Sequence, residues 1–83
     1  MTYQQLHDWL VTFVAEVLEV EPAEIADDAS WEALGVDSAT VLVLVANLTA
    51  TTGLSVRPSQ VLEHPSIEQL AAHLAAVERA EAG

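Results

Sequence analysis

Leu34-Gly35-Val36-Asp37-Ser38, running without a break into Ala39-Thr40-Val41-Leu42-Val43-Leu44-Val45-Ala46-Asn47-Leu48-Thr49-Ala50, is the stretch that decides the fold. Asp37 is an N-cap residue type whose carboxylate accepts from the first free N–H groups of a helix, and Gly53 supplies the left-handed residue that commonly ends one. The pattern predicts a helix over about Ser38 to Thr52, with Ser38 in its first turn. A serine hydroxyl placed there meets unpaired backbone N–H groups and the positive end of the helix dipole, a setting that favours phosphate. Ser38 therefore reads as a candidate attachment point for a phosphate ester. Taken alone, Asp-Ser at a helix start is more often a plain cap, because short motifs match by accident.

Upstream, Thr2 followed by Gln5 is a capping-box pattern, and Leu6, Leu10, Phe13, Val14 and Val17 recur at helical spacing with Trp9 beside them. A helix from about Tyr3 to Leu18 is expected, with one buried face. Pro22 ends any continuation and opens a loop, Glu21 to Ala33, rich in Glu24, Asp27, Asp28 and Glu32. Ile25, Trp31 and Leu34 should pin that loop to the core. Downstream, Pro58 can start a short helix near Ser59 to Glu63, Pro65 stops it, and Ser66 with Gln69 makes a second capping box. Ile67, Leu70, Ala71, Leu74 and Val77 form the inner stripe of the last helix, and Glu78 to Gly83 reads as a frayed tail. The expected fold is all-α: a small bundle of three longer helices and one short one in a single domain over 1–83, its core about 3–77.

Composition narrows the functions. Eighty-three residues, 52% of them hydrophobic, supply one core but too little structure for a deep catalytic cleft with its supporting shell, so no catalytic residues are expected. With no cysteine there are no disulfides and no thiolate chemistry. The first residues lack the pattern of a signal peptide, and no stretch reaches about 18 uninterrupted apolar residues, so a cytoplasmic protein away from membranes is expected. The formal charge is −11, thirteen acids against only Arg57 and Arg79. Such a charge repels nucleic acid and attracts basic protein surfaces over about a Debye length, ~8 Å at physiological salt. Nine of the thirteen acids lie at or before Asp37, and none lies between Ser38 and Leu62.

Several blocks then agree on a family. Leu34-Gly35-Val36-Asp37-Ser38 resembles the L-G-x-D-S motif of acyl carrier proteins, whose serine carries 4′-phosphopantetheine. Thr52-Gly53-Leu54, then Val61-Leu62-Glu63-His64-Pro65-Ser66-Ile67, then Leu70-Ala71-Ala72-His73-Leu74 resemble the T-G-L, V-F-D-H-P-T and L-A-x-H-L blocks of polyketide-synthase carrier domains. The likeness runs from about Leu6 to Val77, and four blocks in order are far more specific than one. The resemblance implies a four-helix carrier fold and a relay. A transferase using coenzyme A and a divalent metal moves phosphopantetheine onto Ser38, and the arm's thiol then holds an acyl or aminoacyl group as a thioester. Asp37 keeps its capping role, with proximity to the transferase-bound metal implied by the family.

Competing chemistries are weak. His7, His64 and His73 lie on three different predicted elements with no i, i+4 pair and no cysteine, which argues against zinc. His64 reads as part of the His-Pro turn. Glu24, Asp27 and Asp28 lack the glycine and terminal glutamate of an EF-hand loop and read as a solvated face, so no metal site is expected. Trp9 and Trp31 read as packing residues, and no pair of residues suggests a Ser-His-Asp arrangement.

The chain also departs from the family's pattern. Carrier proteins commonly present acids on this helix, a leucine after the serine and, in polyketide types, a Glu-Leu-Arg-Asn-Arg run; here Ala39 follows Ser38 and Val43-Leu44-Val45-Ala46-Asn47 replaces the run. At about 100° per residue, Val41, Leu44 and Leu48 share one side of the helix and Ala39, Val43, Ala46 and Ala50 another. The first side is expected to be core, the second an outward patch for docking a partner, unless its small residues merely tolerate exposure or meet the next helix. Leu62 also stands where the family usually has an aromatic residue.

The function expected is a monomeric, non-catalytic carrier of acyl groups in polyketide-type biosynthesis, its partners a phosphopantetheinyl transferase and acyl-loading and acyl-processing enzymes. The Met1 start and short tails favour a discrete protein. A peptidyl or aminoacyl carrier of nonribosomal synthesis is the nearest alternative, though Val36-Asp37 before Ser38 differs from the Gly-His and Gly-Gly-Asp sequences common there. An unmodified helical interaction module that kept the carrier fold is the alternative from another class.

Overall fold

Thr2 starts the first helix: its hydroxyl accepts from the Gln5 N–H at 3.2 Å while the Gln5 side chain accepts from the Thr2 N–H at 2.9 Å, satisfying two orphan donors reciprocally. The computed structural model describes residues 1–82. In chain order it contains α1 (Tyr3–Leu18), a 3₁₀ turn (Pro22–Glu24), α2 (Trp31–Leu34), α3 (Ser38–Thr52), α4 (Pro58–Glu63) and α5 (Ile67–Ala82). The architecture is all-α, with α1 packed along α5 and α4 against α3. Three long helices are as the sequence predicts. The segment 21–33, expected as loop, instead holds the 3₁₀ turn and the start of the one-turn α2, so the short helices number two. Ser30 makes that turn by accepting from the Ala33 N–H at 3.0 Å. A single turn is too short to show periodicity in the sequence.

One face of each long helix closes the core. Leu6, Leu10 and Val14 of α1, Leu44 and Leu48 of α3, and Ile67, Leu70 and Leu74 of α5 are fully buried or nearly so. Each contributes about 1.5–3 kcal/mol of transfer free energy. Val17, placed in the inner stripe of α1 by spacing alone, is 42% exposed, because it borders an open depression shared with Ala39, Thr40 and Val43 of α3 and is not packed into the core. The stretch expected to fray from Glu78 is helical as far as Ala82, and the Glu78 carboxylate meets the Met1 ammonium; Gly83 lies outside the described residues.

The acidic loop is stitched to the start of α5 through main-chain groups. Trp31 N–H donates to the Pro65 carbonyl at 3.0 Å and Glu68 N–H to the Asp27 carbonyl at 3.0 Å, with an isolated antiparallel bridge between Ser30 and Ser66. His7 adds a side-chain tie, its Nε2 lying 2.8 Å from Asp27 Oδ2 and its Nδ1 3.1 Å from Asp8 Oδ1.

α1 ends on Glu19, which adopts φ 57°, ψ 44° while its N–H bonds back to Ala15 and Glu16. An L-residue in the left-handed region at a helix C-terminus costs about 1 kcal/mol or more against glycine. Glu19→Gly is therefore expected to stabilise the domain by about 0.5–1 kcal/mol, read as a higher thermal midpoint. A lower midpoint would show that the Glu19 side chain contributes more than its backbone costs.

Two histidines are shifted in opposite directions. Hydrogen bonds donated to the carboxylates of Asp8 and Asp27 raise the His7 pKa, whereas burial, followed by the charge of His64, lowers that of His73. The His64 and His73 rings stack at 4.1 Å between centroids, and Gln60 Nε2 lies 3.2 Å from His73 Nε2. His7 thus contributes stability that is complete below the ordinary histidine pKa and is lost as pH rises through its raised value. His73 contributes stability present above the ordinary pKa and lost as pH falls through its lowered one. The melting temperature is expected to pass through a maximum near pH ~6.5. His7→Gln should flatten the alkaline limb and His73→Gln the limb just below the maximum; unchanged limbs in both variants would refute these assignments.

Candidate functional site at the start of the second long helix

Gly35 turns the chain out of α2 at φ 91°, its N–H donating to Glu32. A Cβ there would find its nearest neighbour, Leu18 Cδ2, at 4.0 Å, so backbone conformation and not space calls for glycine. The turn sends Val36 into the core and leaves Asp37 and Ser38 exposed. Asp37 Oδ1 then accepts from the Thr40 N–H at 2.8 Å, and that bond holds its carboxyl below the usual aspartate range. The cap fixes where α3 begins, which makes Ser38 its first residue. The Ser38 hydroxyl thus stands in solvent at a helix N-terminus, the position at which a phosphodiester is accepted most readily.

Two apolar hollows flank this serine. On one side a cleft of about 420 Å³ is lined by Trp31, Val36, Val41, Leu42, Pro58 and Leu62, with Glu32, Asp37 and Ser38 also bordering it. Leu42 and Leu62 are 59% and 69% exposed on its two walls, and Trp31 forms part of its floor, its indole N–H donating to the carbonyls of Val61 and His64, each at 3.0 Å. On the other side, Val17 of α1 with Ala39, Thr40 and Val43 lines a depression of about 280 Å³.

The residues singled out in the sequence are therefore distributed unevenly. Asp37 and Ser38 come together; Ala39 and Val43 share one depression; Ala46 and Ala50 are exposed further along α3 and line neither hollow. Leu42 falls in neither stripe of the helical wheel, yet it forms a wall of the cleft. The signal for it is its proximity, one turn on, to Ser38. The histidines lie on separate elements, but folding brings His64 and His73 into contact. Among the described residues no three His, Cys, Asp or Glu side chains converge as metal ligands.

A family model described as the phosphopantetheine attachment site matches residues 8–74, most of the chain. The chain belongs to the phosphopantetheine-binding carrier proteins. It is 38% identical over 73 residues to a phenolphthiocerol/phthiocerol polyketide synthase polypeptide of Mycobacterium tuberculosis, covering 88% of this carrier but only 4% of that protein. With the acyl carrier protein TtuC of Teredinibacter turnerae it shares 30% identity over 92% of its own length and 87% of the relative's. A solved free-standing peptidyl carrier protein from an Acinetobacter baumannii secondary metabolic pathway superposes with a TM-score of 0.86 at 28% identity, covering 90% of this chain and 94% of that one. Over the matched region the chain is a non-catalytic carrier unit with a phosphopantetheine attachment site. No helix among the described residues is long and apolar enough to cross a membrane.

The hollows fit such a group. The exposed hydroxyl leaves room for a transferase to reach it, and the cap that starts α3 is made by Asp37, which accepts from the Thr40 N–H, and not by the Ser38 side chain. The cleft walled by Leu42 and Leu62 offers apolar surface where the arm would leave the serine.

Proposed function

We propose that Ser38 is the residue that carries the arm, and that the carrier holds acyl intermediates for a polyketide-type pathway in the cytoplasm. The observation that carries the reading is the exposed Ser38 hydroxyl on the first residue of α3, inside the matched family region and beside an apolar cleft. When bound, the arm supplies a terminal thiol that holds the cargo as a thioester. The chain's own contribution is to present that thiol: a tethered intermediate reaches roughly millimolar effective concentration at a docked partner. The pathway is supported by the polyketide synthase relative and by Val36-Asp37 before the serine. The likeness to a peptidyl carrier supports an aminoacyl cargo instead. Mass spectrometry of the protein isolated from its native host decides between them, a ketoacyl or malonyl-type cargo favouring the first and an aminoacyl cargo the second.

Ala39, Val43, Ala46 and Ala50 form the surface on which we place the partner. All four are exposed, and Val43, at 51%, stands where the family usually carries glutamate. Val43→Glu is expected to keep its helicity and accept the arm while acyl loading by the cognate enzyme weakens about tenfold to a hundredfold, the effect of about 1 to 3 kcal/mol for an unpaired carboxylate in an apolar contact. Circular dichroism with a loading assay checks this: a folded variant loaded as fast as wild type removes the docking role.

A further inference from the structure

The Val17–Val43 depression is one of two hollows walled by α1 on one side and α3 on the other. The second is lined by Trp9, Thr12, Phe13 and Glu16 on α1 and by Asn47 and Thr51 on α3. Trp9 and Phe13 stack there, ring centroids 5.3 Å apart and planes 13° from parallel, both half-buried and open on one side. At 1.5 Å per residue along the two helices, the depressions stand on the order of 10 Å apart, about two helical turns. One end of the groove is thus aliphatic and lies beside Ser38, and the other is aromatic and carries a carboxylate. Neither Arg57 nor Arg79, the chain's two cationic side chains, borders either depression, so nothing cationic within the fold competes for Glu16.

The geometry points to this groove as the seat of a cationic amphipathic helix from a partner protein. An aliphatic side chain of that helix fills the hollow of Val17, Ala39 and Val43, and an arginine two turns away lies over the Trp9–Phe13 pair and pairs with Glu16. A guanidinium suits both features at once, because it stacks on aromatic faces and bonds carboxylates in its own plane. The helix-in-groove mode supplies the matching periodicity. Charge complementarity selects the occupant, since a chain of net charge −11 attracts basic surfaces and repels acidic ones. The assignment rests on the carrier reading for the identity of the partner, and extends the docking surface from one helix to the groove between two.

The test uses a designed 14-residue amphipathic helix with leucine and arginine seven positions apart, and the same peptide with glutamate in place of arginine. In ¹⁵N NMR titrations the basic peptide is expected to shift the amides of Glu16, Val17, Val43 and Asn47, with little change at Leu42 and Leu62. Glu16→Lys, an exposed substitution whose folding circular dichroism checks, is expected to weaken binding at least tenfold, and the acidic peptide to bind no better than that variant. Ser38→Ala is expected to bind the basic peptide like wild type, so that loss of arm attachment and loss of groove binding remain separate results. Shifts centred on Leu42 and Leu62, equal binding of the two peptides, binding indifferent to Glu16→Lys, or no binding would each overturn the assignment.

Discussion

Incubated with coenzyme A and a broad-specificity phosphopantetheinyl transferase, the wild-type chain is expected to gain one arm and Ser38→Ala none, a complete loss read directly as intact mass. The structure makes the variant a clean one. The Ser38 side chain is exposed and has no protein hydrogen bond among those of the described residues, while the cap that starts α3 belongs to Asp37. Alanine is the best helix former, so the fold should be unaffected. Unchanged circular dichroism together with an absent mass increment is the expected pair of results. An arm on the alanine variant, or none on wild type with a transferase shown to be active on another carrier, would displace Ser38 from its role.

Trp31→Ala is expected to produce the largest loss of stability. The side chain is buried between the loop and α4, and its indole N–H serves two carbonyls, Val61 and His64, at 3.0 Å each. Truncating a buried aromatic residue costs about 3–5 kcal/mol, a large share of the ~5–15 kcal/mol by which a domain is stable. For a domain of this size each kcal/mol moves the thermal midpoint by about 4–8 °C, so a fall of well over 10 °C is expected. Trp31→Phe divides the effect, keeping most of the ring while removing the donor, and a cost of about 1–3 kcal/mol is expected from the carbonyls left without it. Because Trp31 also floors the cleft beside Ser38, both variants should disturb the amides of Leu42 and Leu62. If Trp31→Phe melts with wild type, the indole bonds contribute nothing net and packing alone holds the loop.

The long helices were legible because their signals are local or periodic. Thr2 with Gln5, Asp37 before Ser38 and Gly53 after Thr52 mark helix ends within a few residues of chain, and the structure uses each of them. The separation of Val41, Leu44 and Leu48 from Ala39, Val43, Ala46 and Ala50 was equally readable, since a straight helix converts spacing into facing. Val17 shows where that conversion fails: spacing gives the side of a helix but not how tightly the facing helix fills the space beside it. The contact between His64 and His73 was invisible for a related reason, because it depends on where α5 settles against the turn before it, whereas the one-turn α2 is simply too short to show a period. Of the site, Ser38 and Asp37 were carried by motif and cap. The cleft and the α1–α3 groove each draw walls from separate elements, and no window along the chain contains them.

The loop between α1 and α3 is held to the start of α5 by main-chain bonds, Trp31 to Pro65 and Asp27 to Glu68. Peptide groups make these bonds whatever side chains their residues bear, provided the donors are not proline. Mutational drift across the acidic loop can therefore rewrite its surface charge, and with it the choice of partner, without releasing the strap that sets the position of α3. The Trp31 amide should accordingly exchange with deuterium more slowly than the loop amides before it, and the Glu68 amide should be protected although it lies in the first turn of α5, marking the two ends of a rigid pin that holds a segment whose sequence is free to vary.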